Sequence, residues 1–194
     1  MSVNLVDTIQ ANLNYPPLQK IDPNTQEEKA TAAAPFGHRF SQAAIPAVLT
    51  GLYKYTTTDE GAETVLRGDI STDWVSTMFG DTREEVVQKI NTYSSELNDD
   101  TTSRMNDIAN EAIRVIRENI KPGGSMMDVK NFMSGQRNTI LLYLPAALHM
   151  GEFLRDDTLD DNTHKMEGPI SSLMHKIGSA FSKPANEEEA RSNQ

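Results

Sequence analysis

A chain of 194 residues with 37% apolar and 24% charged side chains is long enough for a buried core and fits one domain or two small ones. Its 18 Lys and Arg against 28 Asp and Glu leave a net charge of −10, which excludes a protein whose main business is coating nucleic acid or anionic lipid, because both reward positive charge. It has no cysteine, so disulfides, thiolate metal sites and cysteine nucleophiles are excluded as well.

Met1 to Asp7 hold neither a basic patch nor an apolar run of secretory-signal length. Val6, Ile9 and Leu13 predict a helix within residues 1–14, left at the edge of the domain, that ends before Tyr15-Pro16-Pro17. Thr25 to Ala34 reads as a helix stopped by Pro35. Phe40, Ala44, Val48 and Leu52 form an apolar helical stripe through Pro46. Thr57-x-x-Glu60 caps a short helix through Leu66, closed by Gly68. Asp73 to Phe79 is another short piece, with Trp74, Val75 and Met78 apolar and Gly80 in the left-handed stop position. Thr82-Arg83-Glu84-Glu85 has the capping-box pattern, followed by Val86, Ile90, Tyr93 and Leu97 on one face.

The clearest helix spans Asp100 to Ile120, where Met105, Ile108, Ala112, Val115, Ile116 and Ile120 step by three and four. Asp99 and Asp100 stand where a cap and first-turn acids belong, Arg114 and Arg117 lie toward the C-terminal end, and Lys121-Pro122-Gly123-Gly124 stops it. Ser125-x-x-Asp128 opens a helix through Met133, ended by Gly135. Ile140, Leu144 and Leu148 form a second apolar stripe, this one through Pro145. Gly168-Pro169 opens a last helix carrying Ile170, Leu173, Met174, Ile177 and Phe181. Lys183 to Gln194, with Pro184 and no large apolar residue, predicts a disordered acidic tail.

No stretch alternates apolar and polar residues with β-branched enrichment. The expectation is an all-α fold, a compact bundle of about 8–10 short to medium helices in one domain over 1–182, with the tail at 183–194. The longest apolar run, Ile140 to Met150, falls short of the ~20 residues of a spanning helix. With no export signal and no disulfides, the expected compartment is the cytoplasm.

Two segments echo each other: Ile45-Pro46-Ala47-Val48-Leu49 before Gly51, and Leu144-Pro145-Ala146-Ala147-Leu148 before Gly151. A mid-helix proline costs roughly 3 kcal/mol, so the pattern predicts either a shared kink or two helices meeting at each proline, and it raises an internal pseudo-repeat beside the alternative of two unrelated core helices. Together with the Met78-Phe79-Gly80-Asp81 turn ahead of Val86-Val87, these runs stand in an order that resembles the YidB-like bacterial proteins, over roughly Gln26 to Leu154. That resemblance implies an all-helical, homeodomain-like arrangement and no activity, so it carries over no functional residue. The chain departs from the glycine-rich style of that family and has extra helices at both ends.

No catalytic, cofactor-binding or metal-binding residue is assigned, and no cofactor is expected. Of His38, His149, His164 and His175, no two have the i, i+4 spacing of a helix-borne zinc site, and His149 reads as a core or helix-end residue. Ser134 has no nucleophile-elbow context, and Gly123-Gly124 lacks the lysine and spacing of a phosphate loop. Glu84-Glu85 and Asp99-Asp100 sit at helix starts, where the macrodipole accounts for them. Asp156, Thr158, Asp160, Asn162 and Glu167 fall at EF-hand ligand spacings, but Asp161 stands where the turn calls for glycine and Gly168-Pro169 starts a new helix too soon. An acidic connection is the simpler reading. Arg104, Arg114 and Arg117 alternate with Asp107, Glu111 and Glu118, as on a solvated ion-paired face rather than a recognition helix.

The functional expectation is a non-enzymatic cytoplasmic helical protein acting through a protein partner or as a homo-oligomer, with Met126, Met127, Met133 and Met150 as an adaptable apolar surface or as ordinary core. Open beside it stand a small-ligand binder or enzyme with a site assembled from distant residues, an acidic metal-binding module and a DNA-binding protein.

Overall fold

The computed structural model describes residues 3–22, 37–69, 71–95 and 100–159, all within the first of the two units into which the chain divides, Met1–Asn162 and Thr163–Gln194. They form α1 (Leu5–Asn12), α2 (His38–Tyr55), α3 (Asp59–Arg67), α4 (Trp74–Phe79), α5 (Arg83–Ser94), α6 (Thr101–Asn119), α7 (Met126–Leu141) and α8 (Met150–Leu154), with 3-10 turns at Gly80–Thr82, Ala146–Leu148 and Asp157–Leu159. No described residue lies in a strand, so the fold is all-α. None of these helices is long and apolar enough to cross a membrane. The helices expected over Thr25 to Ala34 and after Gly168-Pro169, and the tail 183–194, lie outside the described residues.

Most starts and stops follow from local chemistry. Asn4 Oδ1 accepts from the Val6 N–H at 3.1 Å, and Asp73 accepts from the Ser76 N–H at 3.1 Å, each satisfying an amide that the first helical turn leaves open. Ser125 and Asp128 form the capping box that the sequence predicts. In α3 the capping oxygen is that of Thr58, not Thr57, and it accepts from the Gly61 N–H at 3.0 Å. Gly68 ends α3 at φ +61°, a left-handed position that suits glycine.

Four expectations need correcting. Thr82 is not a capping residue, because a 3-10 turn from Gly80 already runs into α5 and the Thr82 hydroxyl donates to Phe79 O at 2.8 Å. Gly135 does not end α7, which continues through Leu141 because Gln136 and Ile140 keep burying the same face as Val129 and Met133. Gly80 has a positive φ but a ψ of −123°, outside the left-handed helical region. The two proline segments differ in backbone. Pro46 lies inside α2, whereas Pro145 is extended at φ −65°, ψ 130°, between α7 and a 3-10 turn. The residue before a proline is pushed out of the helical region, and near Pro145 the chain yields to that push because its carbonyls have other uses. Leu142 O accepts from the Ile21 N–H at 2.8 Å, and Tyr143 O accepts from the Gln42 amide at 2.9 Å.

The core is built around α2. Every residue from Phe40 to Leu52 is buried, and a helix that is covered all round belongs at the centre of its domain. It packs against α1, α4, α5, α6, α7 and α8. At Gly51 a Cβ would stand 2.6 Å from the tip of the Phe79 ring, so the absent side chain is what lets α4 close on α2. Leu5, Val6 and Ile9 are fully buried against α2, α6 and α7, so α1 is part of the core rather than an edge.

Candidate functional site

Helix α6 sets out the site. Its buried face carries Met105, Ile108, Ala109, Ala112, Val115 and Ile116. On a neighbouring face, Asn106 and Asn110 stand one helical turn apart and hold the start of α4. Asn106 Oδ1 accepts from the Val75 N–H at 3.1 Å and its amide donates to Asp73 at 3.1 Å, while the Trp74 indole N–H donates to Asn110 Oδ1 at 3.0 Å. The Ser76 hydroxyl and the Ser76 N–H both donate to Asp73 and hold its carboxyl below the usual aspartate range.

With Trp74 fixed, an open groove of about 370 Å³ remains beside α6, with half-buried Leu13 at its side, buried Ile113 at its base and Gly68 among its lining residues. Trp74 is fully buried beneath it. Its polar side belongs to α6. Glu111 accepts from Arg114 at 2.6 Å and 2.9 Å and from the Asn12 amide at 2.6 Å, and Arg114 also pairs with Glu118. The Arg114 hydrogen bonds hold the Glu111 carboxyl below the glutamate range against the opposing effect of burial, and the same partners raise Arg114. A Cβ at Gly68 would overlap the Arg117 guanidinium, so Arg117 passes close to the end of α3.

The three arginines expected on this helix do not converge. Arg104 stands over the Phe40 ring at 3.4 Å, Arg114 is engaged by two glutamates, and Arg117 alone reaches the groove without one of them. His38 is buried at the start of α2, and His149 is exposed at φ +51°, a helix-end residue; His164 and His175 lie outside the described residues. Ser134 is exposed within α7, and Glu84 and Glu85 occupy the first turn of α5. Gly123 takes φ +80°, and a Cβ on Gly124 would strike Ile120, so this pair serves the stop after α6.

Asp156, the first of the calcium-like positions, pairs with Lys54 at 2.8 Å and accepts from the Thr158 hydroxyl at 2.6 Å. Burial works against its charge, but Lys54 and Thr158 outweigh burial and lower its pKa. Asp160, Asn162 and Glu167 lie outside the described residues, among which no three His, Asp or Glu side chains come together as a metal site. Met133 and Met150 are core residues, whereas Met126 and Met127 are 37% and 60% exposed.

Sequence reasoning places Trp74 on a short helix but does not reveal the groove. The nearest signal is the Asn106 and Asn110 pair, two amides at i, i+4 on a helix that otherwise alternates apolar residues with charges. The chain matches no protein-family model, no curated protein and no solved structure.

Proposed function

We propose that this chain is a non-enzymatic cytoplasmic protein that acts by protein–protein contact, and that a segment of its partner docks in the α6 groove. The supporting observation is the groove's construction: half-buried Leu13 at its side and the buried Trp74 and Ile113 beneath it, beside a set of charges already fixed to one another. Apolar surface supplies affinity, and polar groups held in advance add little ordering cost when a partner arrives. The YidB-like resemblance adds a fold to this reading and no chemistry.

A photocrosslinking residue placed at Leu13, and separately at exposed Glu84 on α5, tests it in the cell of origin. The expected result is a discrete protein adduct from position 13 and none from position 84. The same adducts from both positions, or none from either, would overturn it.

A second reading, self-association, is favoured by the exposed side of α7. Met127, Asn131, Ser134, Gly135 and Asn138 are all exposed and none is charged. Two copies that each carry −10 approach at least cost through such a face. Sedimentation velocity should then show a concentration-dependent dimer that Met127→Lys abolishes, and a monomer at all concentrations removes this reading.

A further inference from the structure

The last of the described residues, 149–159, are folded against their own preference. They hold α8, a helix of five residues, too short to be stable without packing. His149 before it and Arg155 after it both take the left-handed conformation, at φ +51° and +52°, which is unfavourable for any residue with a Cβ. Only four non-glycine residues among those described have a positive φ, and two of them bracket this one helix.

Tertiary contacts hold the stretch down. Met150, Leu154 and Leu159 are buried, and α8 packs on α2. At the far end, Asp156 accepts from the Lys54 ammonium of α2 at 2.8 Å and from the Thr158 hydroxyl at 2.6 Å. Arg137 of α7 donates to Thr158 O at 3.0 Å and lies 3.3 Å from the Thr158 hydroxyl oxygen. Two helices of the bundle thus each lend a cation to this end of the stretch. The Lys54 and Asp156 side chains are 37% and 21% exposed, so water reaches the pair and it can part without disturbing α2. Residues 40–52 of α2, buried throughout, have no such route to opening.

We propose that residues 149–159 form a strap that opens as one unit while α1 to α7 stay packed. The Lys54–Asp156 and Arg137–Thr158 contacts are its catches, and the left-handed backbone at His149 and Arg155 is the strain that favours release. The open form bares Met150, Leu154 and Leu159 and the part of α2 that they cover. This inference is independent of the docking reading above.

Amide hydrogen exchange of the full chain, read residue by residue by NMR as protection factors, tests the strap. The reporters within it are the Asp156 and Leu159 amides, which donate to Gly151 O at 2.7 Å and to Asp156 O at 3.0 Å. They should be at least ~tenfold less protected than the Leu49 and Leu52 amides of α2, and their protection should depend less on urea, because a local opening exposes less surface. Lys54→Met should lower the protection of both strap amides by one common factor, up to about fivefold. His149→Gly and Arg155→Gly should each raise it by about two- to fivefold. Ile108→Val, at a fully buried position on α6, should lower the protection of the α2 amides by about threefold and leave the strap amides unchanged, because α6 is still packed when only the strap is open. The Lys54, His149 and Arg155 side chains are half-buried or exposed and Ile108→Val removes one methylene, so far-UV circular dichroism should show all four variants folded. If Ile108→Val lowers protection of the strap and of α2 alike, the strap opens only when the domain unfolds and the proposal is overturned. If Lys54→Met changes Asp156 and Leu159 by different factors, these residues do not open as a unit, and the proposal is overturned as well.

Discussion

Gln42 shows how one side chain can set the path of distant backbone. It is fully buried on α2, its carbonyl accepts from the Gln19 N–H at 2.8 Å, and its amide donates to Gln19 O and Tyr143 O, both at 2.9 Å. Gln136 does the same for the N-terminus, accepting from the Leu5 N–H at 3.0 Å and donating to Val3 O at 2.9 Å. Both amides satisfy buried or part-buried backbone groups that no helix reaches. Gln42→Leu removes three hydrogen bonds, of which the one to Tyr143 O is buried, at roughly 1–3 kcal/mol per buried group left unsatisfied. We expect a loss of at least ~2 kcal/mol in urea denaturation, with the apolar volume nearly conserved. A midpoint unchanged from the parent would show that these hydrogen bonds contribute nothing net. Nothing in the sequence around Gln42 or Gln136 announces this role, because their partners lie 23 to 133 residues away.

At the scale of the helix, glycine acts in opposite ways at two places. Gly135 sits in the interior of α7 with open space where its Cβ would be, so it weakens the helix and nothing in the fold requires it. Gly135→Ala should therefore stabilise the protein by ~0.5–1 kcal/mol. Gly68→Ala should do the reverse, because φ is +61° there and the new methyl would displace Arg117. Thermal melts of the two variants should move in opposite directions, and a shared direction would refute the account of either site. The expectation that Gly135 ends a helix and the expectation that Gly68 does both come from the same local rule. The rule succeeds at Gly68, where the apolar period also stops, and fails at Gly135, where Gln136, Ile140 and Leu141 continue to bury the face.

For the molecule as a whole, α2 is the element around which the others pack, and Leu49 at its centre has no exposed surface. Leu49→Ala should cost ~2–5 kcal/mol, measured by the shift of the denaturation midpoint. Acid should unfold the protein through a different set of groups. Asp73, Asp128 and Asp156 all have pKa values lowered by the hydrogen bonds or charges around them in the folded state. A carboxyl lowered on folding stabilises the protein fully above its unfolded pKa of ~3.9, and that contribution disappears as pH falls through the folded value. Stability should thus be level from about pH 5 upward and decline below about pH 4. Asp73→Ala should lose ~1 kcal/mol at pH 7 and converge on the parent near pH 2. A constant gap between the two across that range would assign the loss to packing instead.

The all-α class, the capped start at Ser125 and the stop after α6 were determined by the amino-acid sequence alone, because helical period, capping and turn chemistry act over about four residues. Tertiary structure decided that Pro46 lies within a helix and Pro145 outside one, although their neighbours read nearly alike. It also made the groove, by bringing Leu13, Gly68, Trp74 and Arg117 together from four separate parts of the chain. The physical reason is range: a carbonyl taken by Gln42 or a ring seated on Gly51 joins residues far apart in the chain, and no local pattern records that contact.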